Sequence, residues 1–203
     1  MMRLRKPWLF LMLAIVVLAS GAGAQPADPK TLIQRTVDRA LKVLRDPALQ
    51  GADKRTKRFE QVRVIVSEVF DWEDMAQRSL GVHWRSANEA QRARFTELFK
   101  ELLANSYMED INQFRGDEQV LVGELQKDAD VFRVDTTIIT HSREQVPISY
   151  FLHAEDGTYR VHDFSVEGVS LVNHYRQSFN RFMANGTLDA LIEKLARKAP
   201  KSS

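Results

Sequence analysis

The residues of this chain that could move a proton are few and widely spaced. A catalytic reading would bring His162, Asp163, Tyr150 and Tyr107 together in one cavity as acid and base groups. Asp163 also has a simpler reading, in which its carboxylate accepts hydrogen bonds from backbone amides of the turn at 166–170. His83, His141, His153, His162 and His174 show no ligand-type spacing along the chain. No cysteine accompanies them, so neither a metal site nor a cofactor is expected. Glu73 and Asp74 fall in the first turn of a helix, where acids favour the helix dipole and need no catalytic role. There is no glycine-rich phosphate loop and no nucleophile-elbow serine. The expectation is a binding protein rather than an enzyme.

The elements that must position these residues are organised around the stretch 86–114. Ser86 with Glu89 reads as a capping box opening a helix. Phe95, Leu98, Phe99, Leu102, Leu103, Tyr107, Ile111 and Phe114 then recur in steps of three and four, so they share one face. Glu97, Lys100, Glu101, Asn105, Glu109 and Asn112 fall on the other. At 1.5 Å per residue such a helix spans roughly 40 Å, the diameter of a compact domain of this size. A stripe this wide and aromatic needs a large cover, and the sheet-forming half of the chain follows it directly.

Upstream, Asp28-Pro29 reads as an N-cap with proline in the first turn, and Asp46-Pro47 ends that helix. Lys54, Arg55, Lys57 and Arg58 open a second helix. They read as a solvated surface turn or as a docking patch for an acidic partner. Asp71 caps a short third helix that ends at Gly81. Trp72 and Trp84 flank the approach to the long helix as core residues or as an exposed contact site.

Downstream the period changes to two. Residues 119–125, 131–140, 146–154 and 159–166 read as strands joined by short turns, hence an antiparallel meander. Phe132, Val134, Thr136 and Ile138 share one face, as do Ile148, Tyr150 and Leu152. Two amphipathic helices close the chain, the first capped by Ser170 and the second carrying Leu188, Leu191, Ile192 and Leu195. The predicted fold is α+β: a curved antiparallel sheet of about four strands wrapped on the long helix, with helices before and after. A helix stripe facing a curved sheet makes either a filled core or a cavity, and the pattern leaves both open.

The chain begins with Arg3, Arg5 and Lys6, an apolar run from Trp8 to Ala19, and the small-x-small site Ala22-Gly23-Ala24. This is the three-part pattern of a secretory signal peptide over residues 1–24, too short for a comfortable membrane span. The predicted single domain is 25–203. Without Arg3, Arg5 and Lys6 the formal charge falls from +2 to −1, so the basic balance belongs to the export segment and gives no argument for nucleic-acid binding. An exported chain with no cysteine has neither disulfides nor a lipidated cysteine, which makes a soluble periplasmic protein the expectation. Nothing in the pattern asks for more than a monomer.

Two blocks carry a family likeness. One is Phe70-Asp71-Trp72 with Met75-Ala76, Leu80-Gly81, Trp84-Arg85, Gln91-Arg92, Phe95, Phe99, Leu102-Leu103 and Tyr107. The other is Tyr159-Arg160-Val161-His162-Asp163 followed by Val166-Glu167-Gly168-Val169-Ser170-Leu171, with Tyr175-Arg176 and Phe179. Together they resemble the MlaC family, also called toluene-tolerance or ABC-transporter auxiliary proteins. The resemblance implies a periplasmic carrier that maintains outer-membrane lipid asymmetry. It would hold a glycerophospholipid as cargo, with tails in a cavity between sheet and helices and the headgroup exposed. The implied partners are an inner-membrane ABC transporter complex, through its MCE-domain subunit, and an outer-membrane lipoprotein–porin complex. No headgroup-binding charge maps onto a numbered position. Under this resemblance Phe99, Leu103, Tyr107, Tyr150, Leu152, Val161, Val169 and Leu171 are the expected tail-facing residues. The alternative is a periplasmic adaptor or chaperone that binds protein and carries no lipid.

Overall fold

The computed structural model describes residues 28–198, and the export segment expected over residues 1–24 lies outside them. Asp28 opens α1 (Pro29–Leu44) as anticipated. Its carboxylate accepts from the amides of Lys30 and Thr31 at 3.1 and 3.2 Å, and from the Thr31 hydroxyl. Two 3-10 turns, Pro47–Leu49 and Ala52–Lys54, lead into α2 (Arg55–Ser67). Of the four cations there, Lys54, Arg55 and Lys57 are exposed. Arg58 turns inward, is only 4 % exposed, and donates to Gln50 Oε1 at 3.2 Å. Asp71 caps α3 (Trp72–Leu80) by accepting from the Asp74 amide at 2.9 Å, and Gly81 ends it with φ 61°.

The long helix differs from expectation at both ends. Ser86 lies in a 3-10 turn (Gly81–Ser86), where its hydroxyl donates to the His83 carbonyl at 3.0 Å. The capping box belongs to Asn88 and Gln91, whose side chains reciprocally bond each other's amides at 2.9 and 3.1 Å. Trp84 and Ala87 are buried before the helix starts, so the chain must turn once more before it can rise. The helix α4 (Glu89–Ser106) then stops at Tyr107, and a separate short helix α5 (Met108–Gln113) follows. No glycine or proline marks this break. Ser106 Oγ donates to the Leu102 carbonyl at 2.8 Å, the back-bonding that bends helices, and it also lies 3.2 Å from the Tyr175 hydroxyl. At 18 residues, α4 is about 27 Å long.

The sheet is an antiparallel meander in the order β1 (Gln119–Asp128), β2 (Val131–Ile139), β3 (Gln145–Glu155), β4 (Thr158–Val166), β5 (Val169–Ser170). The two-residue β5 was not anticipated, because a strand that short has no alternation to read. Register shifts between Val122 and Leu125 and between Phe151 and Leu152 bend the sheet. Two helices follow, α6 (Leu171–Met183) and α7 (Leu188–Lys198).

Two cores result. In the helical layer Phe95 and Phe99 of α4 meet Phe179 edge-on at 5.4 and 6.0 Å, with Met75, Leu80, Leu103, Leu171 and Leu191 buried around them. The stripe of α4 is thus covered by helices over most of its length, because α6 and α7 each bring an apolar face of their own. The second core lies on the sheet, where Ile33 of α1 packs on Val134, Leu152 and Val161. Phe70 touches both cores, and backbone bonds from Asp71 to Val161 and from Val161 to Val69, each 2.9 Å, tie the layers together.

Candidate functional site

The register places four rows of side chains across the inner face of the sheet. Lys127, Phe132, Leu152 and Val161 make the first row and Leu125, Val134, Tyr150 and Phe164 the second. Val122, Thr136, Ile148 and Val166 make the third, and Val120, Ile138 and Val146 the fourth. Burial falls along this series. Phe132 aside, the apolar members of the first row are fully buried beneath the second core, as is Val134 of the second. Every apolar member of the third and fourth rows is partly exposed. Thr136, the one polar member, is buried and donates to the Ile148 carbonyl at 3.2 Å.

One half of the inner face is therefore sealed, and the other is only partly covered and leaves its apolar side chains half-open to solvent. A partly exposed apolar face of this kind is a candidate binding surface. Aromatic rings form its boundary. Phe164 lies 5.9 Å from Tyr107 at the end of α4, 6.4 Å from Tyr150 on β3, and 5.7 Å from Phe70. Burial pushes the Tyr150 phenol above its ordinary value, against a smaller opposing effect of a hydrogen bond with Thr136. Two depressions, of about 310 Å³ beside Asn105 and Lys198 and about 260 Å³ beside Arg63 and Lys100, lie off this face.

The structure distributes the eight expected tail-facing residues over four places. Phe99, Leu103 and Leu171 are packed in the helical core, and Leu152 and Val161 lie under α1 in the sheet core. Tyr107 and Tyr150 meet at Phe164, beside the open half. Val169 is 57 % exposed on the edge strand β5. Val122, Ile148, Val166, Val120, Ile138 and Val146 line the third and fourth rows with Phe164 at their boundary, and none of these seven is among the expected tail-facing residues. The alternation of β2 and β3 held part of that signal, but which end of each strand is covered depends on where α1 lands.

The four acid and base candidates do not converge. Asp163 Oδ1 accepts from the amides of Phe164 and Val172 at 2.8 and 3.1 Å, and Oδ2 accepts from the Ser170 hydroxyl at 2.5 Å. Its carboxylate joins the end of β4 to the start of α6. His162 instead stacks on His153, with ring centroids 5.4 Å apart. Burial lowers its pKa, and the nearby Arg78 adds to the effect. Trp84 is buried with the Arg92 guanidinium over its ring at 5.5 Å, and Trp72 stacks on Phe70 at 5.2 Å.

Fold and face together define an α+β protein with a half-covered apolar sheet, the geometry of a receptor for an apolar ligand. A family profile described as MlaC protein matches residues 34–197, and the chain belongs to that family. A similar solved structure is a phospholipid-binding protein from Ralstonia solanacearum in complex with a phospholipid. It is 23 % identical, covers 84 % of this chain and 96 % of its own, and superposes with a TM-score of 0.75. No protein with curated function matches. Among the described residues no helix is long and apolar enough to cross a membrane.

Proposed function

We propose that this protein is a periplasmic phospholipid carrier, exported by a signal peptide over residues 1–24 and folded as one lipid-binding domain over 25–203. The acyl chains of a glycerophospholipid would lie on the open rows of the sheet, against Tyr107, Tyr150 and Phe164, and the headgroup would stay in water. The observation that carries this reading is the half-open inner face, six partly exposed apolar side chains in register across four strands. Family membership and the phospholipid held by the Ralstonia relative support it.

Magnitudes say what kind of carrier this is. Two acyl chains of about 15 methylenes each, at about 0.8 kcal/mol per methylene, gain roughly 24 kcal/mol on leaving water. That exceeds the practical ceiling of about 18–21 kcal/mol for noncovalent affinity, so ordering and desolvation costs offset part of it. Lipid held this way does not escape into water. A bilayer offers a similar gain, so transfer between two apolar hosts is nearly balanced. Handover then calls for docked partners: an inner-membrane ABC transporter complex with an MCE-domain subunit on one side, an outer-membrane lipoprotein–porin complex on the other. This cycle would maintain outer-membrane lipid asymmetry.

The test is native mass spectrometry of the protein purified from the periplasm, followed by lipid extraction. One glycerophospholipid per chain, lost on denaturation, is the expected result. A clean unliganded mass that incubation with phospholipid vesicles does not raise overturns the reading in favour of a protein-binding adaptor.

A further inference from the structure

Asp71, His153 and Glu155 bring one potential ligand atom each to within 4.8 Å of one another, although Asp71 precedes α3 and the other two lie at the end of β3. We propose that these three side chains form a site for a borderline divalent transition metal, with Zn²⁺ as the representative ion. Asp71 Oδ2 and His153 Nε2 are 3.2 Å apart. Bonds of about 2.0–2.1 Å at a tetrahedral angle require neighbouring ligand atoms about 3.3 Å apart, so these two need almost no movement.

Asp71 is oriented from behind. Asp71 Oδ1 is engaged by the Asp74 amide, which leaves Oδ2 for the ion. His153 Nδ1 lies 3.9 Å from the Asp74 carboxylate, a long ion-pair distance rather than a hydrogen bond, while Nε2 is turned to Asp71. The Arg78 guanidinium in turn holds Asp74 at 2.5 Å. Glu155, two residues along β3 from His153, falls on the same face. Its present contact is Arg160 Nε at 3.4 Å, an exposed pair of little strength. Arg160 is anchored independently by donating to the Glu68 carbonyl at 2.6 Å.

A second observation points to the same place. His162 is 7 % exposed, and both its ring nitrogens are buried without a hydrogen-bond partner. Its ring lies 17° from parallel against that of His153. A buried imidazole with neither nitrogen satisfied is costly to keep, and here it stacks directly on the ring of His153. An imidazole with two carboxylates and no thiolate suits zinc, nickel or copper; calcium and magnesium prefer oxygen alone. The site lies on the face opposite Leu152, so it leaves the lipid face free and stands apart from the carrier reading. A bound ion would clamp the cap of α3 to β3, locking the helical layer to the sheet.

Isothermal titration of metal-stripped protein with ZnCl₂ tests this. One Zn²⁺ per chain is expected, with affinity about 10-fold weaker in Glu155→Gln and about 100-fold weaker in His153→Gln. His141→Gln, which removes the exposed His141–Asp117 pair, should leave binding unchanged. Zn²⁺ should raise the melting temperature of the wild type but not of His153→Gln, and Ca²⁺ should do neither. Glu155 is exposed, so its variant keeps the fold and loses only the ligand. Absence of saturable binding, binding retained by both ligand variants, or binding lost in His141→Gln would each overturn the assignment.

Discussion

Asp163 sits where β4 ends and α6 begins, and three donors converge on its carboxylate. Its replacement by alanine leaves two amides and a hydroxyl without their acceptor at the junction of sheet and helical layer. We expect Asp163→Ala to cost about 2–4 kcal/mol in urea denaturation, and Asp163→Asn, which keeps one acceptor oxygen, clearly less. Tyr150 makes a second prediction at this scale. Burial holds its phenol above the ordinary value of 10.0, so the unfolded chain releases that proton first as pH rises. The contribution to stability is complete below pH 10.0 and is lost from there up to the folded value. In a spectroscopic titration one of the four tyrosines should ionise last, and Tyr150→Phe should remove that late step.

At the scale of elements, the capping of α4 distinguishes the expected from the observed start. Asn88→Ala should destabilise by about 1 kcal/mol, because the side chain that satisfies the Gln91 amide is lost. Ser86→Ala should stay within about 0.5 kcal/mol, since Ser86 only decorates a 3-10 turn. Both Ser86-x-x-Glu89 and Asn88-x-x-Gln91 satisfy the local rule, and burial of Trp84 and Ala87 chose between them. The break at Tyr107 was equally hidden, because residues 105–114 keep the helical spacing and carry no breaker. The strands were legible to within three residues at each end, since period-two alternation is local and the turns are tight.

For the whole molecule, the division into a filled helical core and a half-open sheet face predicts separable phenotypes. Phe95→Ala removes a ring enclosed on all sides and should cost about 3–5 kcal/mol with little direct effect on ligand. Phe164→Ala, on the boundary of the open face, should cost less stability and should reduce the phospholipid recovered with the purified protein. Loaded protein should lose lipid far more slowly to lipid-free buffer than to vesicles bearing a docking partner, as fluorescence dequenching of a labelled lipid would report. Rapid loss into buffer would contradict the energetic argument for partner-gated release.

What the sequence by itself determined was everything written in local spacing. The caps of α1, α3 and α6, the meander, the α+β class and the family blocks from Phe70 to Tyr107 and from Tyr159 to Phe179 depend on residues within a turn or two of each other. What only the tertiary structure decided was which apolar face is core and which is open. Phe99 and Val122 both lie on apolar faces, yet Phe99 is enclosed by Tyr175 and Phe179 from a helix some 75–80 residues away, and no element covers Val122 so completely. The same holds for His153 and His162. They have no meaningful spacing along the chain, but antiparallel pairing of β3 with β4 and a one-residue bulge stack their rings beside Asp71. Contacts between distant segments depend on where whole elements come to rest, and no local period encodes that.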